Sequence, residues 1–254
     1  MTHPPSQIRH QTSDIKKSYT ISSLGDAALE LSFGNIISRD VNSQIIAIAK
    51  HFSAHPFFGL TNLVPAYSSI TFCFDVFLIH QSLAADAIVF DWVRQQVETA
   101  LPAIRTATET ISDQVAIPVC YEQELGNDLE AVSLATGISR EELIHIYSSK
   151  KYYVYMMGFL PGFAYMGETS DQIAMSRKAN PHRVKAGSVA IAGKQTGIYP
   201  LDSFGGWHVL GHTPVAMFDK SLQDPCFLKA GQEVSFYPMS LEAYHAFGAD
   251  CFTT

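Results

Sequence analysis

Eight polar side chains stand among glycines and turns in one stretch of the chain: Arg177, Lys178, Arg183, Gln195, Thr196, Tyr199, His208 and His212. An arginine can grip a carboxylate through two parallel N–H donors, in a way that Lys178 cannot. A histidine donates a hydrogen bond whether neutral or protonated, provided the tautomer is right. Such a set suits one task, holding a carboxylate while stabilising an amide or carbonyl oxygen. Arg177, His212 and Gln195 are the candidates for catalytic contact. Tyr199, Trp207, Arg183, Phe163 and His208 are the candidates for substrate binding. The aromatic residues Phe159, Phe163, Tyr165 and Trp207 can wall a pocket, and they can equally be core or interface. The plain alternatives are that Arg177 is a surface charge and Gln195 a turn cap.

Other chemistries fail on spacing. A phosphate loop needs four residues between its glycines, followed by Lys and Ser or Thr. Gly187 and Gly193 are separated by five residues, and Lys194 is followed by Gln195. His208 and His212 have the i, i+4 spacing of a helical zinc pair. Gly205, Gly206 and Gly211 argue for strand and turn instead, and no adjacent cysteine or carboxylate completes a ligand set. We therefore expect hydrogen-bonding histidines and no metal. Ser188 lies in Gly-Ser-Val rather than in a nucleophile elbow. A self-contained hydrolase is poorly supported.

The elements that must position these residues follow from the glycine and proline content of Gly158 to Asp219. Those two residues are the worst in a helix interior, while the density of aromatic and β-branched residues excludes disorder. Short strands joined by tight turns remain. Upstream, residues 1–18 read as a loose tail. Tyr19–Leu24 and Ala27–Phe33 read as a hairpin around Gly25-Asp26. Asp40 can cap a helix carrying the stripe Val41, Ile45, Ile48 and Phe52. Leu60–Ala66 and Ser69–Phe77 read as strands, the second with Ile70, Phe72, Phe74 and Val76 on one face. Ser82 can cap a further helix with Val89, Val93 and Val97 in line, ended by Pro102. The order ββαββα predicts a two-layer α/β sandwich over residues 19–110. Polar, Thr-rich residues 103–112 look like a linker. A second domain spans 111–254 and opens with a strand at Val115–Val119. Helices at Asp128–Thr136 and Arg140–Ser148 follow, the second with a Ser139/Glu142 capping box. Gln232–Tyr237 is a late strand.

Composition narrows the partners. The chain has 254 residues and a formal net charge of −7, which disfavours nucleic acid and anionic membrane. The helix pair separated by Gly137 resembles a helix-turn-helix, but its second helix starts Arg140-Glu141-Glu142, and two carboxylates would repel phosphates. No apolar run reaches the ~20 residues that span a bilayer, and no signal peptide is evident at the start. Cys73, Cys120, Cys226 and Cys251 are far apart, as expected of reduced thiols in a cytoplasmic protein.

Four ordered motifs carry a resemblance: Gly158 to Gly167, Arg177 with Lys178, Ala186 to Pro200, and Gly205 to Asp219. With Val64 to Ile70 and Gly25 to Gly34 upstream, nearly the whole chain resembles the KipI / PxpB / allophanate-hydrolase-subunit-1 family. The resemblance implies a cyclophilin-like β-barrel for the C-terminal half. It implies a B subunit of ATP-dependent 5-oxoprolinase, working with a C-type subunit of similar barrel fold and an ATP-binding A subunit to open a small lactam. ATP would be used by the partner, with no cofactor bound by this chain. The alternatives it implies are an inhibitor that binds a sensor histidine kinase, and a urea carboxylase or allophanate hydrolase-like subunit acting on a small amide. Two departures stand out. Ser176-Arg177-Lys178 replaces the family's Pro-Arg-Arg, and His182 stands where an arginine is expected. Either His182 or Arg183 then faces the site.

Overall fold

The computed structural model describes residues 19–104 and 113–250. The expected tail and most of the expected linker lie outside the described residues. The chain divides into two compact units, Met1–Thr110 and Ile111–Thr254.

The first unit is a two-layer α/β sandwich. Strands β1 (Thr20–Ser23) and β2 (Ala28–Ser32) form the hairpin, and helix α1 (Arg39–Ala54) follows. Strands β3 (Leu60–Pro65) and β4 (Ser69–Phe74) complete an antiparallel sheet of order β1-β2-β4-β3. Leu29 and Leu31 of β2 alternate inward with Ile70, Phe72 and Phe74 of β4, and meet Val41, Ile45, Ile48 and Phe52 of α1. Three expectations are corrected here. Ser38, not Asp40, is the N-cap residue of α1, and Asp40 lies in the first turn, where a carboxylate complements the helix dipole. The strand ends at Phe74 rather than Phe77. Asp75 accepts a hydrogen bond from the Leu78 N–H and turns the chain into helix α2 (Val76–Ser82), so Val76 is helical. Ser82 ends that helix instead of capping the next, which is α3 (Val89–Ala100), followed by a 3₁₀ turn containing Pro102.

The second unit is built on a seven-stranded sheet. Strand β5 (Gln114–Val119) leads into helices α4 (Leu129–Thr136) and α5 (Arg140–Ser148). Ser139 accepts from the Glu142 N–H, the expected half of the capping box. Then come β6 (Lys151–Met157), β7 (Ala164–Gly167), β8 (His182–Val184), β9 (Ser188–Ala192), β10 (Gln195–Ile198), β11 (Ser203–Gly205), β12 (His208–His212), β13 (Glu233–Pro238) and helix α6 (Leu241–Asp250). The main sheet has the order β12-β9-β10-β7-β6-β13-β5, and β8 pairs with β11 in a separate ribbon. A backbone bridge between Cys120 and His212 joins the two edges of the sheet through hydrogen bonds of 2.8 and 2.9 Å. That seam gives the sheet its barrel-like form, and a closed sheet leaves fewer unpaired edge groups.

The sheet buries both faces. One carries Val154, Met166, Val189, Ile191, Ile198 and Phe236, packed with Val132 of α4 and with Leu143 and Tyr147 of α5. Thr196 belongs to this core. It is fully buried and donates to the Ala190 carbonyl at 3.0 Å, so the Tyr147 hydroxyl must donate to it, at 2.6 Å. Thr196 is therefore spent on the core and cannot serve a ligand. No helix among the described residues is long and apolar enough to cross a membrane.

Candidate functional site

Strand register places most of the candidate residues on the other face of the same sheet. In β10, Thr196 and Ile198 face the core, so Gln195 and Gly197 face away from it, with Tyr199 next in the alternation. In β9, Val189 and Ile191 face the core and Ala190 and Ala192 face away. Across the strands, His212 pairs with Ser188, and the Tyr199 N–H donates to the Ser188 carbonyl. His212, Ser188 and Tyr199 thus form one row, with about 10 Å across two strand spacings between its ends. Gln195 pairs with Ala192 and Gly167, in a row about 13 Å farther along the strands.

An aromatic cluster covers this face. Phe163 lies edge-on to Tyr165 (4.8 Å), Tyr199 (5.4 Å) and Trp207 (5.5 Å). Phe163, Tyr199 and Trp207 are 2%, 2% and 5% exposed, so they form a packed wall. Gly197 makes room for it, because a Cβ there would sit 2.8 Å from Phe163 Cζ. The Tyr199 hydroxyl accepts from the Trp207 backbone N–H, which fixes the ring against the wall and leaves its O–H to donate. The Arg177 guanidinium lies 5.8 Å from the Trp207 ring centre, in cation–π contact. It also lies close enough to Tyr165 and Tyr199 to favour their ionised forms, although burial dominates and raises both phenols. At the rim, Phe159 is 60% exposed with φ at +66°, and its ring rests against Phe163 at 5.6 Å. A bulky residue in the left-handed region carries strain of about 1–3 kcal/mol, a cost that clusters at functional sites.

Arg177 is held from both sides. The Ser176 carbonyl accepts from His208 Nε2 at 2.9 Å, so the proton of that ring is on Nε2. The Lys178 N–H donates to the Gly206 carbonyl at 2.8 Å. The Lys178 ammonium pairs with Asp128 and donates to His182 Nε2 at 2.9 Å. The two departures noted in the sequence therefore meet on one carboxylate. His182 faces Lys178 and Asp128, whereas Arg183 is exposed on the β8–β11 ribbon opposite Phe204.

The histidines separate. A β-bulge between Val209 and Gly211 shifts the alternation, so His208 pairs with Ile191 of the core face and His212 with Ser188 of the other. Without the bulge, a strand would carry both on one side. His212 Nδ1 bonds the Tyr244 hydroxyl of α6 at 2.8 Å. Its ring fills the space beside Gly187, whose φ of +88° and missing side chain the arrangement requires. Burial pushes the His212 pKa below the usual 6.5, while hydrogen bonding to the Ala186 and Thr213 backbone and the nearby Asp202 charge oppose the shift. His212 is therefore neutral at pH 7.

A pH dependence follows. Below pH 6.5 the unfolded chain takes up this proton before the folded chain does, so stability rises with pH across that window. The contribution is complete above pH 6.5 and is lost as the pH falls through the depressed folded value. We expect the thermal midpoint to fall on acidification below pH 6.5, and His212→Gln to flatten that slope. An unchanged slope in the variant would remove His212 as the cause.

Thus Arg177, Phe163, Tyr199, Trp207 and His212 share one face. Gln195 lies at the far end of that face, His208 points to the opposite one, and Arg183 stands on the ribbon. Asp128 and Tyr244 join the site without any mark in the sequence beyond a carboxylate at a helix start and a tyrosine in a late helix. A cleft of about 380 Å³ lies elsewhere, lined by Asp219, Leu222, Cys226, Phe227 and neighbours, and contains none of the candidates. No group of three metal-ligating side chains occurs among the described residues.

Residues 19–228 match the family of the carboxyltransferase domain, subdomain C and D, and the chain belongs to that family. It is 40% identical over 231 residues to the 5-oxoprolinase B subunit of Bacillus subtilis (strain 168), covering 90% of this chain and 96% of the relative. It is 33% identical over 216 residues to the 5-oxoprolinase B subunit of Escherichia coli O157:H7, covering 85% and 94%. The solved urea carboxylase of Kluyveromyces lactis aligns with a TM-score of 0.72 at 17% identity, a likeness of fold. That alignment takes in 94% of this chain but only 23% of the longer urea carboxylase chain.

Proposed function

We propose that this chain is the B subunit of an ATP-dependent 5-oxoprolinase and helps to open 5-oxo-L-proline to L-glutamate. The observation that carries this reading is similarity over nearly the full length of a relative of that name, at 40% identity. The geometry is compatible with it. A lactam is a stabilised amide, so opening it requires activation of its carbonyl oxygen and a water nucleophile. In this reading ATP acts on that oxygen in a partner protein, and this chain contributes preorganised donors. Arg177, fixed over Trp207, holds the substrate carboxylate. His212, neutral and tied through Nδ1 to Tyr244, reaches a substrate oxygen only by turning its single N–H from the backbone to the ligand. Gln195 lies too far along the face to reach a small ring that His212 contacts.

The set contains no nucleophile–base pair, so the chain acts only within a complex. The partners are a barrel-type C subunit and an ATP-binding A subunit, and this chain binds no cofactor of its own. The test is co-expression with the neighbouring C-type subunit, affinity purification, and assay of ATP hydrolysis that depends on oxoproline after adding the A subunit. The purified chain alone should form no glutamate. Turnover of oxoproline by this chain without partners would overturn the reading.

A further inference from the structure

We propose that Asp128 is a positioning residue for Arg177: it holds Arg177 over Trp207 through a clasp made with Lys178. Asp128 is the N-cap residue of α4, yet its side chain does not cap that helix. Its carboxylate is 14% exposed and turns to the sheet edge instead. Oδ2 accepts from the Val209 N–H at 2.7 Å, and the Asp128 N–H donates to the Val209 carbonyl at 3.0 Å. Asp128 is thereby locked to β12, one residue beyond His208 and two beyond Trp207. Oδ1 receives the Lys178 ammonium, whose other contact is His182 Nε2. The backbone of residue 178 is pinned to Gly206 and that of residue 176 to His208. Arg177 lies between these anchors, with its guanidinium over the indole. The close charge pair that ties this set together is Lys178 with Asp128. A largely buried carboxylate that accepts from both a backbone N–H and an ammonium is rigid, and a rigid support is what a side chain needs to hold one geometry.

The inference rests on the reading of Arg177 as a substrate-binding group for its effect on turnover, but not for its effect on placement. Two measurements separate these. The chain has two tryptophans, so Trp92→Phe leaves Trp207 as the sole reporter. In that background, Arg177→Ala should change the Trp207 emission intensity and maximum by removing the cation from the ring. Asp128→Asn should give the same change although residue 128 does not touch the indole. Lys178→Met breaks the clasp while keeping the Asp128–Val209 bonds, so it gives the same readout if Asp128→Asn fails to fold. In the reconstituted complex, Asp128→Asn should lower kcat/KM on the order of a hundredfold, the cost of a misplacement of about 1 Å. It should lower it no further when Arg177 is already Ala, because a residue that acts through another is not additive with it. Wild-type emission in Asp128→Asn or Lys178→Met would overturn the proposal, as would multiplying effects in the double variant. The fluorescence result stands whether or not the complex opens oxoproline, so failure of the clasp and failure of the functional reading are told apart.

Discussion

Arg177→Ala is expected to lower kcat/KM of the reconstituted complex on the order of a hundredfold while the chain stays folded and paired. The carboxylate that Arg177 grips is charged throughout the reaction, so the loss acts by misplacing the ring, and a misplacement of about 1 Å costs on the order of a hundredfold. The structural consequence is small, since the guanidinium is exposed and its single ring contact is worth about 0.5–1 kcal/mol at such a site. Rate and stability therefore separate cleanly at this position. Arg177→Lys should recover little, because an ammonium cannot form the two parallel bonds of a guanidinium. Steady-state kinetics with thermal unfolding and co-purification as controls decide the matter. Near wild-type rate in a folded, paired Arg177→Ala variant would remove Arg177 from the site.

Trp207→Ala should fail differently, by loss of the fold rather than by loss of a contact to substrate. Trp207 is 5% exposed and its ring touches Phe163, Tyr165 and Arg177 at once. Emptying such a site costs about 3–5 kcal/mol, a large part of the roughly 5–15 kcal/mol that holds a domain together. Trp207→Phe keeps the ring edge against Phe163 and should recover most of that. Denaturant unfolding checks both. Unchanged stability in Trp207→Ala would mean that the aromatic wall is an open pocket lining, and that Trp207 serves the substrate directly.

The elements that local pattern controls were legible. The alternation of Ile70, Phe72 and Phe74, the stripe from Val41 to Phe52 and the Ser139 cap all act within a few residues of sequence. The switch at Asp75 was hidden because Phe74, Val76 and Phe77 are apolar on both sides of it, and a single side-chain cap decides between strand and helix. The aromatic wall and Arg177 were legible as a set, since glycines and bulky rings alternate over a short stretch. What each group does there was not. Thr196 and Gln195 are neighbours with opposite faces, and the choice depends on which face α5 covers. The bulge that parts His208 from His212 adds one residue to β12, which no spacing rule reveals. Asp128 lies 81 residues from Val209 in sequence, so its bond to that strand is a product of the barrel and not of local pattern.

The central claim is that this chain is an essential, non-autonomous part of a lactam-opening complex. The direct measurement is glutamate formation from 5-oxo-L-proline and ATP by purified A-, B- and C-type subunits, with each omitted in turn. The account predicts full activity only with all three, none from this chain alone, and none when this chain is left out. Undiminished glutamate formation by the other two subunits in its absence would contradict it.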